Sequence, residues 1–172
     1  MGRMDTSHAD RLRHRRALLQ LRHARQRHAS TARSLGARLR ALGVQRLSRI
    51  APVRCQALMA PFSQWPGMDE HFVWDGVVGA RCAWWTSPAE RTALFRHALS
   101  DGMPDPASRI ALIFHTAESG LALTAGDARR HAEIVLDALY GTLWVRPLHD
   151  GNDALVELVF PDSAVCWRAV SG

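Results

Sequence analysis

Residues 87–115 read SPAERTALFRHALSDGMPDPASRIALIFH. Ser87 offers an oxygen to the free N–H groups of a helix start, Pro88 suits the first helical position, and Glu90 completes a capping box. Leu94, Phe95, Ala98 and Leu99 recur at helical spacing, and Gly102 followed by Pro104 stops the helix. Arg109–His115 then runs apolar on both faces, the pattern of a central strand. A capped helix leading into such a strand marks a layered α+β unit.

Outward from this stretch the same alternation continues. Upstream, His71–Trp74 and Val77–Trp85 are aromatic and β-branched runs flanking Asp75-Gly76, which predicts a hairpin with a two-residue turn. Downstream, residues 116–120 turn the chain and Leu121–Thr124 returns as a partner strand. Thr124 and Asp127 cap a second helix with Ala128, Ala132, Val135, Ala138 and Leu139 on one face and Gly141 at its end. Thr142–Arg146 and Ala154–Phe160 form a last hairpin around His149–Asp153. Alternation places Trp144, Arg146, Leu155, Glu157 and Val159 on one of its faces, with Val145, Val156, Leu158 and Phe160 facing the helices. Residues 162–170 end the chain as a short helix or strand. The expectation for residues 70–172 is an α+β domain: an antiparallel sheet of five to six strands with two helices on one face.

The N-terminal part has another character. Residues 11–54 hold thirteen of the chain's 22 arginines and no Asp or Glu, and the chain has no lysine at all. Fourteen arginines against Asp5 and Asp10 give residues 1–54 a charge of +12, while residues 55–172 carry −6. Residues 1–50 are rich in helix formers and read as a basic helical arm. Leu18, Leu21, Ala32, Leu35, Leu39 and Leu42 form its apolar stripe, interrupted by Arg25 and His28. Gly36 and Gly43 weaken it, predicting one bent helix or two joined near residues 34–37. Pro52, Pro61 and Pro66 make residues 51–69 a Pro-rich linker.

Arginines at helical spacing with no neighbouring carboxylate suit phosphate oxygens. The expected function is non-enzymatic association with nucleic acid. Arg11, Arg13, Arg15, Arg16, Arg22, Arg25, Arg27, Arg33, Arg38 and Arg40 would contact the backbone, while the α+β domain dimerises or recruits a partner. The alternative is an assembly factor, a chaperone-like or inhibitor module, whose arm binds an acidic protein through Leu35, Leu39 and Leu42, aided by Trp84 and Trp85. An anionic membrane surface is a weaker fit, because the stripe has no Trp or Phe to insert. The arm's composition is also similar to that of an organellar transit peptide.

Other chemistries find little footing. Cys55, Cys82 and Cys166 are odd in number and lack a Cys-x-x-Cys pair, so neither a zinc site nor a disulfide framework is indicated, and a reducing, cytoplasmic compartment is expected. No cofactor is implied: the phosphate-loop and dinucleotide fingerprints are missing, and so is the Gly-x-Ser-x-Gly elbow. No apolar run approaches the roughly 18 residues of a membrane span. His115, Glu118, His149 and Asp150 would form an acid/base pair or a metal site only if the two chain segments meet.

Overall fold

The computed structural model describes residues 31–65, 72–116, 118–139, 141–149, 153–159 and 163–169. Among these residues the chain runs through helix α1 (31–41), strand β1 (Ser48–Ile50) and helix α2 (Pro52–Met59). Next come β2 (Ala80–Trp84), α3 (Pro88–Gly102), β3 (Arg109–Ile113) and β4 (Gly120–Thr124). The short helices α4 (Ala125–Arg130) and α5 (Ala132–Asp137) precede β5 (Leu143–Pro147), β6 (Leu155–Val159) and β7 (Ala164–Arg168). All seven strands join one antiparallel sheet in the order β1-β4-β3-β5-β6-β7-β2.

Both faces of this sheet are covered. Side chains alternate along a strand, so Ile110 and Leu112 of β3 face one layer while Ala111 and Ile113 face the other. On the first face, Leu35 and Leu39 of α1, Phe95 and Leu99 of α3, Ala128 of α4 and Val135 of α5 close over the strands. On the second face lie α2, a 3₁₀ turn at Ala60–Phe62 and another at Trp74–Gly76, contributing Leu58, Met59, Phe62, Phe72 and Trp74. The sequence led us to expect one helical face and five to six strands. The sheet has seven strands because the end of the basic segment supplies β1 and residues 164–168 supply β7.

The helix ends follow their capping chemistry. Ser87 Oγ accepts from the Glu90 N–H at 3.2 Å. The Glu90 carboxylate reaches back one residue further than the cap, accepting from the Thr86 N–H and hydroxyl, both at 2.7 Å. Those two donors favour the ionised form and lower the Glu90 pKa. Thr124 Oγ accepts from the Asp127 N–H at 3.0 Å and opens α4. The expected single helix over 125–139 is instead interrupted at His131, whose φ of −104° and ψ of 26° separate α4 from α5. Its apolar stripe nevertheless faces inward, with Ala128, Ala132 and Val135 buried. In α1 the expected joint at 34–37 is absent: residues 31–41 are one helix through Gly36. The helix stops at Gly43, whose φ of +86° suits glycine. There Val44 N–H bonds to Leu39 C=O and Gly43 N–H to Arg40 C=O, satisfying carbonyls that the helix leaves free.

Two charged side chains organise the second face. Glu157 of β6 opposes Trp144 of β5, with Val145 opposite Val156, so this hairpin has the register read from the sequence. Glu157 is 0% exposed. Its carboxylate accepts the Phe72 N–H at 3.2 Å, the Trp144 indole N–H at 2.8 Å and the Trp74 indole N–H. Arg146, buried on the same face, donates to the Leu58 carbonyl at the end of α2 and lies 5.2 Å over the Phe62 ring. These donors explain why the hairpin expected around Asp75-Gly76 does not form. The Phe72 N–H is committed to a carboxylate, and Val77 N–H closes a turn on Trp74 C=O. Only Ala80–Trp84 remains as strand, and it pairs with β7 instead.

Prolines that read as breakers turn out to start structure. Pro52 opens α2 and Pro61 lies in the first turn of the 3₁₀ helix, where a missing N–H costs nothing. Residues 51–65, within the stretch expected to be a linker, therefore carry a packed layer, with Cys55, Leu58, Met59 and Phe62 buried.

Two substitutions test this packing. Glu157→Ala strips three buried N–H donors of their acceptor and should cost at least about 3 kcal/mol by urea denaturation, at roughly 1 or more per orphaned donor. At Gly120, a Cβ would stand 2.6 Å from the Leu112 carbonyl and 3.1 Å from Cys55 Sγ, whereas at Gly76 nothing lies within 4 Å. Gly120→Ala should cost about 1–3 kcal/mol through overpacking in the same assay. Gly76→Ala should stay within about 0.5 kcal/mol of the parent.

Candidate functional site

The basic segment and the sheet meet at β1. Ser48–Ile50 pairs with β4, Ile50 standing opposite Gly120. Arg109 of β3 donates to the Arg46 carbonyl and, at 2.9 Å, to Ser48 Oγ, while Arg49 donates to Ser119 Oγ at 3.1 Å. These contacts fix the chain between α1 and the sheet edge. Helix α1 approaches β4 closely where it has no side chain: a Cβ on Gly36 would touch Leu121 at 3.4 Å.

With its stripe turned inward, α1 presents the opposite face to solvent. At 100° per residue, Arg33 and Arg40 fall on one side of that face, about 10.5 Å apart along the axis, and Arg38 on the other. Between them lie the small exposed residues Ser34, Ala37 and Ala41. Arg46, Arg49 and Arg54 continue the exposed positive charge toward α2. No Asp or Glu occurs anywhere between Asp10 and Asp69. Arg33, Arg38, Arg40 and Arg46 form no ion pair among the described residues. The remaining arginines read as phosphate contacts, Arg11, Arg13, Arg15, Arg16, Arg22, Arg25 and Arg27, lie outside the described residues.

The residues assigned to a protein partner part company. Leu35 and Leu39 are fully buried in the protein's own core, while Leu42 is 51% exposed. Trp84 is 70% exposed at the end of β2, and Trp85 is half-buried against the helical layer. Beside Trp84 opens a cleft of about 370 Å³, lined by Phe72, Val73, Asp75, Val159 and the paired Cys82 and Cys166. The chain matches no protein-family model, no curated protein and no solved structure. What the site does must therefore come from its own geometry.

The histidine–carboxylate constellation does not assemble. Strands β3 and β5 run antiparallel with Ile113 opposite Trp144 and Ile110 opposite Pro147. His115 follows β3 at one end of the sheet, and His149 follows β5 at the other, next to the Leu148 N–H that bonds Arg109 C=O. Seven strand residues separate their levels, about 23 Å. Glu118 stays with His115 in a turn, its N–H bonded to the His115 carbonyl, and Asp150 lies outside the described residues. Among the described residues, no group of three His, Cys, Asp or Glu side chains is arranged to hold a metal ion.

Cysteine chemistry is where the sequence said least. Cys82 and Cys166 are bonded as a disulfide across β2 and β7, although 84 residues separate them and no disulfide framework was indicated. Opposition across two strands fixed only by the whole sheet is invisible to a spacing rule. Cys55 is the free cysteine; burial raises its thiol pKa, so it remains a protonated core residue.

Proposed function

We propose that the protein binds nucleic acid non-enzymatically, through the phosphate backbone, with its basic N-terminal segment. One observation carries this reading: the leucines of α1 are consumed by the protein's own core, and the face left to a partner is arginine flanking small residues. A guanidinium fork matches phosphate oxygens in pairs, and the small residues between Arg33, Arg40 and Arg38 let a backbone approach closely. Binding of this kind is sequence-tolerant and driven by release of counterions. Insertion into a lipid surface fits poorly, since Leu42 and Val53 are the large exposed apolar residues of this region and neither is aromatic. Among the described residues no helix is long and apolar enough to cross a membrane.

The second reading, an assembly factor with a protein partner, draws its support from the opposite edge of the sheet. There the exposed Trp84 and its apolar cleft have the character of an interface anchor.

The two are separable with the full-length chain. Replacing Arg33, Arg38 and Arg40 together with Gln keeps good helix formers and removes three charges. Affinity for unrelated duplexes should fall by a similar factor for each. The slope of log K against log salt should become shallower by about 0.9 for each phosphate that is no longer neutralised. Trp84→Ala should leave both quantities unchanged. Unaltered nucleic-acid affinity in the triple variant would overturn the phosphate reading.

A further inference from the structure

We propose that the Cys82–Cys166 disulfide is a site of thiol–disulfide exchange that takes a dithiol reductant, and that its reduction releases strand β2 from the sheet. The proposal is independent of the nucleic-acid reading. It rests on where the bond sits. The two cysteines face each other directly in the β2–β7 register, with Cα atoms 4.1 Å apart. That separation belongs to the narrow pair of an antiparallel ladder, whose residues do not bond to each other's backbone. Arg81 and Ala83 therefore carry the ladder to β7, and the Trp85 N–H, bonded to Ser163 C=O, continues the same parity. The disulfide is thus an addition to the ladder, placed between its rungs.

Strand β2 also lies at a margin of the sheet. It is the last strand of the sheet, so only β7 flanks it. Outside that ladder it is tied by the Arg81–Asp101 ion pair at 2.9 Å, with the arginine side chain mostly in solvent, a contact of small value, and by the partly buried Ala80, Cys82 and Ala83, small side chains at the edges of the two cores. The bond is within reach of a reagent, because both cysteines line the open cleft and Cys82 is only partly buried. Cys55, by contrast, is enclosed beside Gly120 on β4, four strands from β7 in the sheet order, and does not compete.

The exchange balances without any group from the protein other than these two sulfurs. A thiolate of the dithiol attacks the Cys82 sulfur and forms a mixed disulfide. The Cys82–Cys166 bond breaks, and its electron pair leaves on the Cys166 sulfur, which takes a proton. The reagent's second thiolate then attacks its own sulfur in the mixed disulfide, closing the reagent's ring and expelling the Cys82 thiolate, which is protonated in turn. Two electrons and two protons pass from the dithiol to the cysteines.

The test uses the full-length protein purified without reductant. Denatured in a thiol-counting reagent it should show one free thiol, Cys55; three would overturn the assignment. Under native conditions the reduction rate should rise in proportion to dithiothreitol. A rate that reaches a ceiling independent of reductant would mean the bond opens only on unfolding, and would overturn it. After reduction, amide hydrogen exchange should accelerate at least about tenfold at Arg81 and Ala83, the β2 amides that face β7, while residues 109–113 stay protected, the signature of local opening. Unchanged protection at Arg81 and Ala83, or loss there and over 109–113 together, would show a purely structural bond. The double variant Cys82→Ser with Cys166→Ser should match the reduced protein in exchange. If that variant fails to fold, the dithiothreitol series on the parent decides alone.

Discussion

The carboxylate of Glu157 has no route to water, and much of the architecture follows from what it needs. Enclosing a carboxyl group is costly unless donors replace its hydration. Trp144, its cross-strand neighbour, supplies one donor from within the sheet. The others have to come from outside the strands, and the segment around Phe72 and Trp74 provides them. Arg146, diagonal to Glu157 on the same face, makes a matching demand and donates to the Leu58 carbonyl near the C-terminus of α2 and to the Pro147 carbonyl. Two polar anchor points thus pin a layer that has little regular structure of its own. Between them the rings of Phe62, Trp65, Phe72 and Trp74 fill the space edge to face, with Trp65 5.0 Å from Phe62 and 5.4 Å from both Phe72 and Trp74.

This dependence also marks what a sequence can and cannot show. Helix α3, strands β3 to β6 and the register of the last hairpin were legible, because each is written in local periodicity or in a cap within four residues. The same alternation put Glu157 and Arg146 on one face correctly, yet gave no hint that the face was covered. The cover arrives from residues 51–65 and 72–76, whose Pro52, Pro61 and Asp75-Gly76 carry strong local signals of another kind. Local turn chemistry lost there to a buried acceptor 85 residues away. Strand β1 is three residues long and its partner lies 70 residues on, so no window of sequence contains both.

The basic segment teaches a related lesson. Its leucine spacing stated that one side of a helix is buried, and α1 obeys. Periodicity does not say whose core does the burying. Once Leu35 and Leu39 are placed beneath α1 in the protein's own helical layer, the arginines on the far side acquire a fixed orientation relative to the sheet. The histidine pair shows the converse: chemistry-bearing residues at comparable places in two hairpins, which the antiparallel register sends to opposite ends.

The two rims of the sheet differ in kind. The β1 rim is three residues long and carries an exposed arginine, the usual protection against another chain adding on. The β2 rim has five residues, and Ala80, Cys82 and Trp84, whose backbone groups point away from β7, set no charge on the cleft side. Arg81 sets its charge on the other face of that strand, so the two margins are guarded differently against an added chain. A lysine at position 84 would set a charge on that side of the rim and leave the Cys82–Cys166 bond intact.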